Sequence, residues 1–171
     1  MSTVLSFDRP SSAHKWKTVD DVVMGGQSSS RVRWIRCDDE SGALRFDGEV
    51  SLENNGGFCS TRNFGHWQLG RARELVWTLR GVERRFVATL RDETTPAGAS
   101  FRHPFWPTGD KWQEVRLCLD DFRLFRRGKK LSSEARVDAS HIESFGFLVA
   151  DGRAGTFCLE LKKLAVANHQ R

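Results

Sequence analysis

Polar and apolar residues alternate along most of this chain. Leu44, Phe46, Gly48, Val50 and Leu52 are interleaved with Arg45, Asp47, Glu49, Ser51 and Glu53. Leu75, Trp77 and Leu79 follow the same rule, as do Val115, Leu117 and Leu119, and Phe157, Leu159 and Leu161. Successive side chains of a strand point to opposite sides, so a period of two marks strands with one buried face. Further strands are predicted near 4–8, 31–37, 57–64, 85–91, 100–105 and 145–150. Turn signals separate them: Ser41-Gly42, Asn55-Gly56, Gly81, Pro96-Ala97-Gly98, Thr108-Gly109-Asp110 and Asp151-Gly152. Helical patterns are scarce. The best is a short one over 138–144, where Ser140 and Glu143 have the spacing of a capping box. About ten short strands at regular spacing predict an all-β protein, a jelly-roll sandwich. With no linker, repeat or low-complexity run, residues 1–171 read as a single domain.

Composition narrows the function. The 171 residues include 27 Lys+Arg against 22 Asp+Glu, a net charge of +5. Most arginines stand singly, as at Arg31, Arg33, Arg36, Arg45, Arg62, Arg80, Arg91 and Arg116. That spacing predicts solvated sheet faces and no nucleic-acid partner. No run approaches the roughly 18 apolar residues of a membrane span. The opening "MSTVLSFDRP" has Val4, Leu5 and Phe7 and reads as folded sequence rather than a signal, so a cytoplasmic protein is expected. Cys37, Cys59, Cys118 and Cys158 form no CxxC pair, and free thiols are expected.

Two stretches resist a purely architectural reading. The first, "DDVVMGGQSSS" from Asp20, is too rich in glycine and serine for a helix. It is also too apolar at Val22, Val23 and Met24 for an idle loop. Gly25-Gly26 can bring backbone N–H groups close to an anion or a partner chain, although no phosphate-loop spacing is present. The second, "SLENNGGFCSTR" from Ser51, contains a turn that Asn and Gly explain by themselves, since both accept positive φ. Glu53 and Arg62 are not explained by the turn. They form either an ion pair or a polar ledge beside Asp20 and Asp21.

Catalytic and metal-binding patterns are thin. His14, His66, His103, His141 and His169 show no mutual metal-ligand spacing, and there is no G-x-S-x-G elbow. Asp20, Asp21, Glu49, Glu53 and Asp151 offer oxygens suited to calcium, but without EF-hand spacing. No catalytic residue, metal or cofactor is assigned, and no enzymatic activity is expected. Trp77 and Trp112 fall on apolar faces and are predicted to be core. Trp67 and Trp106 fall in predicted loops, where they could stack on a sugar or anchor a partner.

Taken together, "W-x3-D-D-V-V-M-G-G-Q-S" and "F-D-G-E-V-S-L-E-N-N-G-G-F-C-S-T-R" resemble the NADH:ubiquinone oxidoreductase (complex I) intermediate-associated protein 30 family. The likeness continues through 112–117, 125–128, 142–146 and 155–157. It implies a galactose-binding-like jelly roll and a non-enzymatic role, as in the assembly factors for respiratory complex I among its animal members. Because the family has no established catalytic residues, the resemblance transfers motif positions alone. With Glu53 added from the residue reading, the candidate binding residues are Asp20, Asp21, Met24, Gly25, Gly26, Ser28, Glu53, Asn54, Asn55, Gly57, Phe58 and Arg62. The expected partner is a protein, an assembly intermediate. A carbohydrate held at a loop edge or on a sheet face is the alternative.

Overall fold

In a computed structural model, which describes residues 1–168, thirteen strands form two antiparallel sheets facing each other across one core. The strands are β1 Ser2–Ser6, β2 Trp16–Asp20, β3 Ser29–Arg36, β4 Gly42–Val50, β5 Cys59–Trp67, β6 Glu74–Gly81 and β7 Phe86–Asp92. After them come β8 Ala99–Phe105, β9 Gly109–Cys118, β10 Arg123–Arg126, β11 Lys129–Ser132, β12 Ile142–Val149 and β13 Gly155–Ala167. The first sheet runs β3-β4-β13-β6-β9, with β1 paired to the distal part of β13. The second runs β11-β10-β8-β7-β12-β5-β2. The protein is a jelly-roll β-sandwich.

Alternation builds the core as the sequence predicts. Leu44 and Phe46, Leu75, Trp77 and Leu79, and Phe157, Leu159 and Leu161 are all buried from the first sheet. Phe86, Ala88 and Leu90, with Phe145, Phe147 and Val149, meet them from the second. Aromatic rings interlock across the gap: Trp77 lies 4.8 Å from Phe147, and Phe86 6.2 Å from Phe157, both edge-on. Such tilted pairs add to the area they bury. No helix among the described residues is long and apolar enough to cross a membrane, and the four cysteines are free.

Several local expectations are corrected. Residues 16–20, absent from the strands predicted above, form a strand because Trp16 turns into the core and the backbone pairs with β5. The hairpin β10–β11 was hidden by its charge. Its turn, Arg127-Gly128, has positive φ at both residues (50° and 77°), the geometry that matches strand twist. The predicted helix shrinks to one 3-10 turn, Ala139–His141, before β12 begins. Its cap is Asp138, which accepts from the Ser140 amide at 3.0 Å, and not Ser140. Trp112 is not core. It lies on the outer face, 4.4 Å from the Arg80 guanidinium and 5.0 Å from Lys162 Nζ. Trp67 ends β5 and packs on Phe145 at 4.9 Å. Leu52 escapes its alternation because β4 stops at Val50, leaving it 46 % exposed.

Candidate functional site

The two unusual stretches meet where β2 leaves the second sheet and β5 enters it. Asp20 pairs with Cys59 in the ladder, and the next residue, Asp21, turns inward. Asp21 is 1 % exposed. Its Oδ1 accepts from the Ser28 amide at 2.9 Å. Its Oδ2 accepts from Ser28 Oγ at 2.5 Å, the Gly57 amide at 2.6 Å and the Phe58 amide at 3.2 Å. Backbone bonds close the same knot: the Asp21 amide donates to Phe58 O, and the Gly26 amide to Asp21 O. Ser28 Oγ also receives the Ser51 amide at 2.8 Å. One carboxylate thereby joins residues that lie 36 and 37 positions away in the chain.

The glycines follow from this crowding. A Cβ at Gly26 or at Gly56 would collide with the Asp21 carboxyl group, whereas Gly25 has open space but a φ of 88°. Asn54 and Asn55 occupy the left-handed region in succession (φ 54° and 59°), which brings the chain sharply back so that the Gly57 and Phe58 amides face Asp21. Burial pushes the Asp21 carboxyl upward, but the bonds from Ser28, Gly57 and Phe58 outweigh it. Its pKa stays below the ordinary carboxylate value. Beneath this knot, burial with the neighbouring Asp20 charge drives the Cys59 thiol up to about 12, so it stays protonated and unreactive.

This arrangement divides the candidate residues. Asp21, Gly26 and Ser28 are interior, and Gly57 is bound to them, so they fasten the loops. Asp20 accepts from Ser30 Oγ at 2.6 Å. Asp21 thus serves inside the knot, whereas Asp20 is half-buried with its Oδ1 engaged by Ser30. Calcium fares no better there: Asp21 is filled by protein donors, Asp151 is clamped by buried Arg84 at 2.6 Å, and no metal-binding group is found among the described residues. Outside the knot lie Glu53, Asn54, Asn55 and Gly25, with Phe58 half-buried. Most prominent are Val22, Val23 and Met24, at 62, 74 and 66 % exposed. They occupy a single 3-10 turn, Asp21–Met24, anchored before and after by the knot. Leu52 stands close by, 3.3 Å from where a Gly57 side chain would begin. Val22, Val23 and Leu52 were not among the candidate residues. The apolar triplet between an aspartate and two glycines was the available signal, and Leu52 was disguised by its alternation.

Arg62 lies elsewhere. It projects from the outer face of the second sheet, its guanidinium 5.2 Å from the Phe64 ring, and no ion pair joins it to Glu53 among the described residues.

The sequence matches the family described as Complex I intermediate-associated protein 30 (CIA30) over residues 5–161. The chain belongs to that family. No curated protein matches it. Among solved structures, it resembles the family 11 carbohydrate-binding module of the cellulosomal cellulase Lic26A-Cel5E of Clostridium thermocellum. That likeness has 13 % identity and a TM-score of 0.68, covering 100 % of this chain and 98 % of that one. The family 11 module from the same organism in complex with a β-1,3-1,4-mixed-linked tetrasaccharide gives 14 % identity, a TM-score of 0.64 and 91 % coverage of both chains. An agarase, AgWH50C, gives 10 % identity and a TM-score of 0.67, covering 99 % of this chain and 26 % of that one. At these identities the likenesses bear on the fold alone.

Proposed function

We propose that this chain is a non-catalytic protein-binding domain that recognises its partner with the edge formed by Val22, Val23, Met24 and Leu52. One observation carries this reading: three consecutive large apolar side chains are held out into solvent on a turn that cannot relax inward. A folded chain has no stability reason to pin such residues outward, and a contiguous exposed apolar patch suits a partner surface. Pinning also lowers the ordering cost of association. The family description supports an assembly role, with the partner an intermediate of respiratory complex I. Asn54, Asn55 and Glu53 would supply a polar rim.

Co-purification from the native host, wild type against Val23→Asp with Met24→Asp, tests the reading. The expected result is a defined partner retained by the wild type and lost by the variant. An identical partner set with a well-folded variant would overturn it.

A second reading, sugar binding, is favoured by Trp106, which is 61 % exposed beyond β8 and offers a ring for stacking. A tryptophan fluorescence titration with a mixed-linked β-glucan oligosaccharide checks it, and Trp106→Ala should abolish any response.

A further inference from the structure

The outer face of the second sheet carries a straight row of positive charge that neither stretch discussed above accounts for. Registered partners run Lys17–Arg62–Gly146–Thr89–Arg102–Arg123 across six strands, β2, β5, β12, β7, β8 and β10. Alternation puts Thr61, Asn63, Ala88 and Phe101 toward the core, so their neighbours Arg62, Thr89 and Arg102 face out. Gly146 lies between them because a Cβ there would meet the Thr61 carbonyl, Thr89 Oγ1 and Arg62 Cβ. The middle of the row is thus low and its ends are cationic. Beside it runs a second registered row, Val19–Ser60–Leu148–Val87–Pro104, which is mostly apolar.

The seven strands of this sheet carry few carboxylates. Asp20 is engaged by Ser30, Asp92 by Thr94, Thr95 and the Asp138 amide, and Glu143 lies at the bulge opening β12. No ion pair is found for Lys17, Arg62, Arg91, Arg102 or Arg123 among the described residues. Arg91 spends its guanidinium on the carbonyls of Thr95, Pro96 and Ala99, and Arg123 on those of Asp120 and Phe122. The Arg62 side chain makes no hydrogen bond among the described residues. Arg102 gives its Nε to Ser100 Oγ at 3.0 Å, leaving its two terminal nitrogens free. Burial lowers the pKa of both guanidinium groups, and the Arg91 charge adds to the effect at Arg62. Arginine does not shed its proton at physiological pH. Arg62 is exposed and Arg102 half-buried, and an oxyanion brought to each would fill its open fork.

Spacing selects the ligand's shape. Arg62 and Arg102 are three strand spacings apart, roughly 14 Å at about 4.8 Å each. In an extended peptide, residues four apart lie about 13 Å from each other on the same side. We propose that this face docks an extended acidic segment of a protein, Arg62 and Arg102 each gripping one carboxylate while the row through Leu148 and Val87 receives its apolar side chains. Phe64 and Phe125 stand beside the guanidinium groups of Arg62 and Arg102, at 5.2 and 5.6 Å. The proposal extends protein binding to a second face and stands or falls separately from the loop edge.

Fluorescence anisotropy tests it with a labelled extended peptide carrying glutamate at every fourth position and valine and glycine between. The wild type should bind, less tightly as salt rises. Arg62→Ala and Arg102→Ala should each weaken binding about tenfold, corresponding to about 1.4 kcal/mol. Arg33→Ala, which removes the same charge from an exposed position on the edge of the opposite sheet, should change it less than about twofold. The Arg62 side chain has no hydrogen bond to lose, so its variant keeps the test valid should Arg102→Ala fail to fold. Val23→Asp should leave peptide binding intact, which separates this proposal from the loop-edge reading. Equal loss with Arg33→Ala would overturn it, as would no binding to the wild type. Tighter binding of oligouridylate or polygalacturonate through the same two arginines would also overturn it.

Discussion

The Asp21 knot and the apolar turn that leaves it occupy adjacent positions in the chain and have opposite physics. Asp21, Gly26 and Ser28 are buried, and Asp21 has its carboxylate oxygens filled by four donors. Val22, Val23 and Met24, between them, are exposed. A polar group has gone inside and apolar groups have gone outside, the reverse of what transfer free energies favour. The inversion is stable because the carboxylate is fully hydrogen-bonded and the turn is too short to fold its side chains back. Stability therefore resides in one set of motif residues, and the proposed recognition in the other.

The largest expected effect breaks the knot. Asp21→Ala leaves the half-buried Gly57 and Phe58 amides without acceptors and should cost about 3 kcal/mol, lowering Tm by about 10 °C for a chain of this size, as read by calorimetry. Next is Gly26→Ala, whose Cβ meets the Asp21 carboxyl and should cost about 2 kcal/mol. Gly25→Ala meets no atom and bears only the left-handed backbone penalty, about 1 kcal/mol. The pH dependence is smaller and has a definite sign. Asp21 is held below its ordinary value of 3.8 in the folded state. The unfolded chain therefore takes up the proton first. The stabilisation is complete above the unfolded value and drains away as pH falls through it toward the folded one. Denaturant midpoints between pH 6 and pH 3 should show this loss, and Asp21→Asn should flatten it. The smallest effect is the sharpest test of the comparison: replacing Val22, Val23 and Met24 by serine should move Tm by less than about 2 °C. A large fall would show that the turn is structural after all.

The period of two made the sandwich legible, since Leu44, Trp77 and Leu159 could be placed inside from their neighbours alone. Trp112 could not, because its strand presents alternate residues to a charged outer face where Arg80 and Lys162 cover the ring. The two motif stretches were visible as a pair, but not the direction in which each residue faces. An aspartate and a methionine three apart look alike as partner contacts until burial separates them. The row from Lys17 to Arg123 was hidden more deeply. Its members are scattered over more than a hundred positions, and strand register alone brings them into line. Singly spaced arginines do lie among carboxylates on the outer face of the first sheet, where Arg31 approaches Asp47, Arg80 Glu160 and Arg116 Glu74. On the second sheet the same spacing leaves charge unbalanced.

The open borders of both sheets have a consequence for how another chain can attach. β11 brings Lys129 and Lys130 to one border, and β3 brings Arg31, Arg33 and Arg36 to another. Cationic side chains along a free hydrogen-bonding ladder discourage strand addition. At these two borders a newcomer is thereby denied the generic backbone route that would admit almost any extended polypeptide, and must be chosen by its side chains. Selectivity in this molecule thus begins with what its margins refuse.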